Sequence, residues 1–318
     1  MLSDNSRKDK KKKKPRRKVN WREYDESLAR RGEMLFDSGF LQNWRAELKK
    51  MNKGKEGPHF RYPNSLISPL AIVHAYLLPY RQLEGFLRMM SIHIKKLRET
   101  APDFTTIWWR VERTKINLDP NTNPEKDDIV VAVDSTGIKV TNRGEWILDK
   151  WKNKKRMRKG FIKIHVAVDI KTKKIVSMSV TKEDVYGGKM LKELVDGVSK
   201  KHSIKKVLAD GGHDSKDNFG YLGRLSISPV IKVRKNSPVR NNTRCIPRKL
   251  SVMQQQLEDI KRWKKRHGYG MRWMAESAFS SIKRMFGEYA YSAKWSNIVN
   301  ELMSKASIYN LLMDKMTT

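Results

Sequence analysis

Residues 129–137 read IVVAVDSTG, an apolar run that ends at Asp134 and is followed by small residues. A continuous apolar run of this length, bounded by turn-forming residues, is typical of a strand buried on both faces. Residues 161–170, FIKIHVAVDI, have an apolar side chain at every second position, which is the period of a β-strand. The run IVSMSV at 175–180 predicts a third strand. Together the three segments predict the centre of a sheet.

Helical and strand patterns alternate after this sheet core. Residues 207–209 form a short apolar run that ends at Asp210, and apolar residues further on recur at helical spacing. Strands, then alternating helix and strand, then helices predict a mixed α/β domain over 128–318. Its other expected segments are helices near 188–200 and 216–225, a strand at 229–233, a basic loop at 234–250, and closing helices at 251–286 (broken at 268–270) and 296–315.

The N-terminal part is predicted to be a basic tail followed by a helical region. Residues 7–18, RKDKKKKKPRRK, are so rich in like charge that we expect 1–20 to be disordered, either as a clamp for phosphates or as a solvated segment. Helical spacing of apolar residues recurs through 21–120. Within it, helices at 81–93 and 104–115 are compatible with a DNA-binding helix-turn-helix or with a plain scaffold. The cations of the second helix that we expect to contact DNA are Arg110, Arg113 and Lys115.

The charge balance narrows the classes of partner. The 318 residues include 68 Lys and Arg against 34 Asp and Glu, a formal net charge of +34. Such a charge repels itself unless a polyanion neutralises it, so nucleic acid is the leading partner and an anionic membrane surface the alternative. The single cysteine, Cys245, excludes an internal disulfide and a zinc finger of several cysteines. The longest apolar stretch, 66–78, is too short to cross a bilayer and no signal peptide is visible, so we expect a cytoplasmic protein.

Two carboxylates follow strands of the predicted sheet. Asp134 ends the strand in VVAVDSTG, and Asp210 ends the strand in KVLADGGHDS. If the two strands lie side by side, the carboxylates meet at one edge and form the oxygen-rich site that Mg²⁺ prefers. The alternative is that each aspartate caps a turn. The small residues after both acids let a bulky substrate approach the backbone.

A third acid, Glu276, lies in a predicted helix within 271–288. At about 100° per residue, Arg272, Glu276 and Lys283 form one polar stripe beside an apolar stripe that would dock on the sheet. Glu276 could therefore join the two aspartates while the cations hold phosphates; the alternative is an ordinary surface residue. Three carboxylates can share two Mg²⁺ ions, which stabilise the attacking and leaving oxygens of phosphoryl transfer.

These motifs resemble a known family. The spacing Tyr269-x2-Arg272-x3-Glu276-x6-Lys283 is similar to the Tyr-Arg-Glu-Lys signature of bacterial and archaeal insertion-sequence transposases of the DDE type. The motifs DST at 134–136 and ADGGHD at 209–214 resemble that family's first and second acid motifs, and PYRQLEGFLRMM resembles its N-terminal helical region. His213 departs from the tyrosine that the family often has at this position. The likeness covers about residues 60–315.

The resemblance implies an RNase H-like catalytic domain and cut-and-paste transposition, in which a mobile DNA element is cleaved at its ends and transferred into target DNA. The implied cofactors are two divalent metal ions, Mg²⁺ with Mn²⁺ as a substitute. The implied partners are double-stranded DNA, at the terminal inverted repeats and at the target, and further copies of the chain in a homodimer or higher oligomer on the DNA of a prokaryotic nucleoid. The implied metal ligands and catalytic residues are Asp134, Asp210 and Glu276. The implied contacts to the phosphates at the element's ends are Tyr269, Arg272 and Lys283. For Tyr269 the alternative is an aromatic side chain packed in the core.

Two other functions are compatible with the same residues. One is a metal-dependent endonuclease of the same fold, which cuts without joining, and the other is an inactive remnant that binds DNA through its charge. Three further side chains have open roles. His165 and Lys163 point away from the apolar face of their strand and could contact DNA or take part in catalysis, and Asp214 is either a further acid of the site or a turn cap.

Overall fold

A mixed sheet forms the centre of the C-terminal part. Its strands are β1 Ile129–Val140, β2 Phe161–Asp169, β3 Ile175–Lys182, β4 Ile204–Ala209, β5 Ser228–Ile231 and β6 Tyr289–Ala290. They lie in the order β3-β2-β1-β4-β5; β1 pairs antiparallel with β2 and parallel with β4, and the short β6 pairs with the far end of β1. The computed structural model describes residues 20–33, 40–94, 97, 101–113, 118, 128–140, 161–234, 237–239, 245–292 and 294–317.

Strand β1 is buried on both faces, as its continuous apolar run predicts. Val131 and Val133 belong to the core on one side of the sheet, whereas Ala132 belongs to the core on the other side. The strand continues to Val140 rather than ending at Asp134, because β2 pairs with it as far as Lys139. Asp134 is therefore a residue within the strand, beyond the part of β1 that pairs with β4.

Helices cover both faces of the sheet. One face packs against α6 (Leu191–Ser199) and α7 (Lys216–Arg224), and the other against α10 (Trp273–Phe286) and α11 (Trp295–Thr317). The amphipathic patterns explain this placement, since the inward residues of α6 are the apolar ones that recur at helical spacing, Leu191, Leu194, Val195 and Val198. The predicted mixed α/β architecture is confirmed.

The segment between β5 and α10 differs from the prediction. Helix α8 (Ile246–Leu257) begins inside the expected basic loop at 234–250, and Pro247 stands in its first turn, where proline fits because the first amides of a helix have no partner. Residues 235–236 and 240–244 of that loop lie outside the described residues. Helix α9 (Ile260–His267) follows, and Gly268 ends it with a φ of +67°, a conformation that favours glycine.

The N-terminal region is helical. Its own apolar core includes Trp44, Leu66, Leu83 and Ile107. The helices are α1 Trp21–Glu33, α2 Phe40–Asn52, α3 Asn64–Tyr76, α4 Tyr80–His93 and α5 Phe104–Arg113. The predicted tail at 1–20 lies outside the described residues except for its last position, as does nearly all of the expected boundary at 121–128.

Arg110 differs from its expected role as a DNA contact. Its side chain is 7% exposed, its guanidinium lies over the Phe60 ring at 4.5 Å, and Nη1 donates to the Tyr62 carbonyl at 2.8 Å. Burial therefore removes Arg110 from the DNA-contact set, because a guanidinium enclosed against the loop that joins α2 to α3 cannot reach a phosphate. Arg113 remains exposed, with its guanidinium over the Trp109 ring, and Lys115 lies outside the described residues.

Asp214 forms a buried ion pair that ties α8 to the loop after β4. Its side chain is fully buried, and Arg248 donates to it from Nε at 2.8 Å and from Nη2 at 3.1 Å. The backbone N–H of Arg234 and the Ser237 hydroxyl also donate to it. Asp214 is therefore a structural anchor for the chain that follows β5 and not part of the acid cluster. It also caps the short 3₁₀ turn Gly211–His213, since its backbone N–H donates to the Gly211 carbonyl.

Removing one partner of this pair is expected to destabilise the fold. Asp214→Ala leaves the Arg248 charge without its partner in a desolvated position, so the free energy of unfolding should fall by about 3 kcal/mol. Asp217→Ala, which removes an exposed acid from the first turn of α7, is the control and should cost less than about 1 kcal/mol. Urea denaturation measures both values, and equal losses would show that the buried pair does not anchor α8.

Candidate active site

The pairing of β1 with β4 brings Asp134 and Asp210 to the same level of the sheet. Ala132 lies opposite Leu208 in this parallel ladder, and each aspartate comes two residues later. The ladder ends there because β4 ends at Ala209. Both carboxylates therefore emerge at one edge, as the sequence predicts for acids at the carboxyl ends of neighbouring parallel strands.

Asp210 is held by its own loop. Its Oδ1 accepts from the Gly212 N–H at 3.0 Å and lies 2.8 Å from Nδ1 of His213, which is 4% exposed. The hydrogen bond from His213 is the main cause that lowers the pKa of Asp210 below its usual range. A Cβ on Gly212 would lie 2.9 Å from Asp210 Oδ1, so the glycine permits this close approach. The sequence marked His213 only as a departure from a family pattern and missed this contact.

Arg272 lies between the other two acids. Its Nη1 donates to Asp134 Oδ2 at 3.0 Å, and its Nη2 donates to Glu276 Oε1. The helical spacing of Arg272 and Glu276 explains the second contact, since residues four apart share one face at the start of α10. Arg272 therefore bridges the strand acid and the helix acid.

The three acids form one electrostatic cluster. Burial is the main cause that raises the pKa of Asp134, and the negative charges of Asp210 and Glu276 raise it further. The Ser135 N–H, which donates to Asp134 Oδ1 at 2.8 Å, and Arg272 act in the opposite direction. Like charges thus meet at this edge, and a cation relieves their repulsion.

The donor set matches a hard divalent cation in kind. Carboxylate oxygens are the ligands that Mg²⁺ prefers, and these come from three different elements at one edge. Within the part of the chain that the structure describes, no three His, Cys, Asp or Glu side chains are spaced closely enough to hold a metal ion. The guanidinium of Arg272 lies between the carboxylates of Asp134 and Glu276 and contacts both, so these two acids do not touch each other directly.

A groove of about 520 Å³ opens beside the acids. Asp134 and Glu276 line it together with Lys283 and Arg284, so acidic and basic groups face one space. Lys283 therefore lies on the same face of α10 as Glu276, as the helical spacing of the two residues predicts. Arg284 was missed by the sequence reasoning, although its position next to Lys283 offered a signal.

Tyr269 does not face this groove. It is 8% exposed and packs on Trp263, with ring centroids 5.3 Å apart, and burial raises its pKa. Its position just after Gly268, in a short 3₁₀ turn at Tyr269–Arg272, turns the ring inward. The structure thus brings Tyr269 behind Arg272 as a packed aromatic, which the sequence left open as an alternative to a phosphate contact.

His165 and Lys163 also have internal partners. His165 is 1% exposed, with Nε2 at 2.8 Å from the Thr181 hydroxyl, and burial lowers its pKa to about 4. It is therefore neutral at pH 7. Lys163 donates from Nζ to the Val185 carbonyl at 3.0 Å. Neither side chain joins the acid cluster. The hydrogen bond between His165 and Thr181 instead links β2 to its neighbour β3.

The Asp210–His213 contact predicts a pH dependence of stability. Because the pKa of Asp210 is depressed in the folded state, the contact stabilises the fold above the ordinary carboxyl pKa and is lost as the pH falls through the folded value. His213→Phe removes the donor, so the pKa of Asp210 should rise and stability should decline less on acidification. Carbon-13 NMR titration of the carboxyl and urea denaturation from pH 7 to 3 measure both effects. An unchanged Asp210 pKa would contradict the assignment, and His93→Asn, on the exposed end of α4, is the control.

Comparison with family models agrees with this architecture. A model described as "Transposase DDE domain" matches residues 125–311, which span the sheet and the helices around it. A second model with the same description matches residues 29–143, which include the end of α1, helices α2 to α5 and the whole of β1. The mixed sheet flanked by helices is consistent with the RNase H-like fold that the sequence motifs imply. The Tyr-Arg-Glu-Lys subgroup stays a prediction. Because the first match covers more than half of the chain, this protein belongs to the family of transposases with a DDE domain.

Proposed function

We propose that this transposase cuts a mobile DNA element at its terminal inverted repeats and joins the freed ends to target DNA, with divalent metal ions as cofactors. The observation that carries the proposal is the cluster of Asp134, Asp210 and Glu276 at one edge of the sheet, beside a groove that also contains Lys283. A DDE enzyme needs three acids from separate elements at one point, and the position of these three acids within the matched domain supports their assignment to that role.

The acids are assigned as the ligands of the metal ions. Mg²⁺ fits their hard oxygen donors, and Mn²⁺ is expected to substitute. When bound, such ions stabilise the charge that develops on the attacking and leaving oxygens of in-line phosphoryl displacement. The chain's own contribution is orientation: the His213 and Gly212 contacts hold Asp210 in place, and the Ser135 N–H holds Asp134.

The basic groups beside the acids are assigned to the DNA backbone. Lys283 and Arg284 face the groove that contains Asp134 and Glu276, so a phosphodiester held by these cations lies next to the acids. The net charge of +34 supports the same partner at long range, since DNA is a polyanion. Arg113, exposed at the end of α5, is assigned to a further contact with DNA.

The assembly and location follow from the same proposal. Joining two element ends in one reaction requires two active sites, so we assign a homodimer or higher oligomer on DNA, in the nucleoid of a prokaryotic cell. No helix in the described parts of the chain is both long enough and apolar enough to cross a membrane.

Loss of any one acid should abolish cleavage while DNA binding persists. Asp134→Asn, Asp210→Asn and Glu276→Gln each remove a charge that a divalent ion needs, and activity should fall by more than about 100-fold, since even residues behind a metal ligand can cost that much. The assay is cleavage of a plasmid carrying the gene with its flanking DNA, in Mg²⁺, with sequencing of the junctions. Glu193→Gln, on the exposed side of α6, is the matched control and should cut normally.

The same assay separates the alternatives. Excision with joined products supports transposition, whereas cutting without joining supports an endonuclease of the same fold. Tight binding with no cutting would identify an inactive DNA-binding remnant. Retained cleavage in one acid variant would remove that residue from the site.

Lys283 should contribute one phosphate contact. Lys283→Gln should weaken binding to all DNA sequences about equally and reduce the slope of log affinity against log salt by about 1. Fluorescence anisotropy across a range of salt concentrations measures both. Lys171→Gln, at the exposed turn after β2, should leave the slope unchanged, and equal slopes for all three proteins would contradict the assignment.

A further inference from the structure

Arg272 uses the very groups to which the proposed function assigns the metal ions. Its guanidinium contacts Asp134 through Nη1 and Glu276 through Nη2, and its side chain is only 20% exposed. Asp134 is 19% exposed and has its other oxygen on the Ser135 N–H. A cation that bound both acids would therefore compete with Arg272 for oxygens that are already occupied.

The guanidinium has an alternative partner of the same chemistry. Arginine binds carboxylates and phosphates through the same planar pair of N–H donors, so a DNA phosphate can replace a carboxylate as its partner. Its long side chain can turn away from the acids while the backbone stays in place, because the 3₁₀ turn that carries it is anchored by the packing of Tyr269 on Trp263.

Helix α9 favours the approach of DNA to this turn. It ends at His267, two residues before Tyr269, and its exposed side chains are all cationic. Only Arg266 of these has an ion pair within the described part of the chain, with Glu258. A row of exposed cations draws a phosphate backbone to its surface. The cations are Lys261, Arg262, Lys264, Lys265 and Arg266.

We propose that Arg272 is a gate that makes binding of the divalent cation depend on DNA. This inference rests on the proposed function. Without DNA, Arg272 holds Asp134 and Glu276 and offsets one of their two negative charges. When a DNA phosphate binds the guanidinium in place of the carboxylates, Asp134 and Glu276 become available to a divalent cation. The cation site is then free only when the DNA substrate is present. DNA and cation then bind cooperatively, and each raises the affinity for the other by the same factor.

Manganese binding tests the gate without DNA. Mn²⁺ is titrated into the full-length, DNA-free protein and free Mn²⁺ is followed by EPR. Arg272→Gln removes both contacts, so it should bind Mn²⁺ about tenfold more tightly than the unmodified protein, a coupling of ordinary size. Arg272→Lys keeps the charge but reaches one acid at a time, so its affinity should lie in between. Circular dichroism and thermal melting verify that the variants fold.

Lys283→Gln is the matched control for charge alone. It removes one positive charge from the groove that the acids line, and Lys283 has no ion pair with either acid in the described structure. Its Mn²⁺ affinity should therefore change much less than that of Arg272→Gln. Equal gains in the two variants would overturn the gate, because they would show a general electrostatic effect.

DNA binding gives the reciprocal measurement. The anisotropy of a labelled duplex from the DNA flanking the gene is measured with and without Mn²⁺ at constant ionic strength, and a gel verifies that the duplex is intact. Mn²⁺ should tighten binding to the unmodified protein and to Lys283→Gln, but not to Arg272→Gln.

Failure of the gate and failure of the proposed function give different results. If Mn²⁺ supports cleavage but binds the unmodified protein and Arg272→Gln equally, the gate is wrong and the function stands. If no variant binds Mn²⁺ with or without DNA and no cleavage occurs, the metal-dependent function is wrong and the gate falls with it.

Discussion

The parallel ladder between β1 and β4 is the constraint on which the rest of the site depends. It puts Ala132 opposite Leu208 and so sets Asp134 and Asp210 at one level, although 76 positions separate them in the sequence. A slip of one residue would turn Asp134 to the opposite face, because side chains alternate along a strand. The apolar residues of β1 that face both cores resist such a slip, since it would expose them or crowd their neighbours.

The site concentrates negative charge in a protein with a net charge of +34. The acids repel one another at the edge of the sheet, and the chain's own donors compensate: His213 donates a hydrogen bond to Asp210, and Arg272 bridges Asp134 and Glu276. Arg272 is therefore more than the phosphate contact that the sequence motif implies, because its guanidinium already donates hydrogen bonds to two of the acids.

The chain between β5 and α10 supports this edge from behind. The Asp214–Arg248 pair anchors the start of α8 to the loop that carries Asp210, and the packing of Trp263 on Tyr269 anchors α9 to the turn that carries Arg272. Helix α9, whose exposed side chains are all basic, is thereby fixed next to the turn that carries Arg272.

The sequence by itself determined the class of fold and the identity of the acid cluster. Period-two and period-3.6 patterns locate the strands and helices, and motif spacing points to Asp134, Asp210 and Glu276, because both depend on local geometry. Only the tertiary structure decided which polar groups are partners. Arg110 is buried against the loop between α2 and α3, and Tyr269 against Trp263. Asp214 pairs with a residue 34 positions away, and Arg272 reaches a carboxylate 138 positions away. Such contacts produce no periodic pattern in the sequence, because they form only when segments that are distant in the sequence pack together.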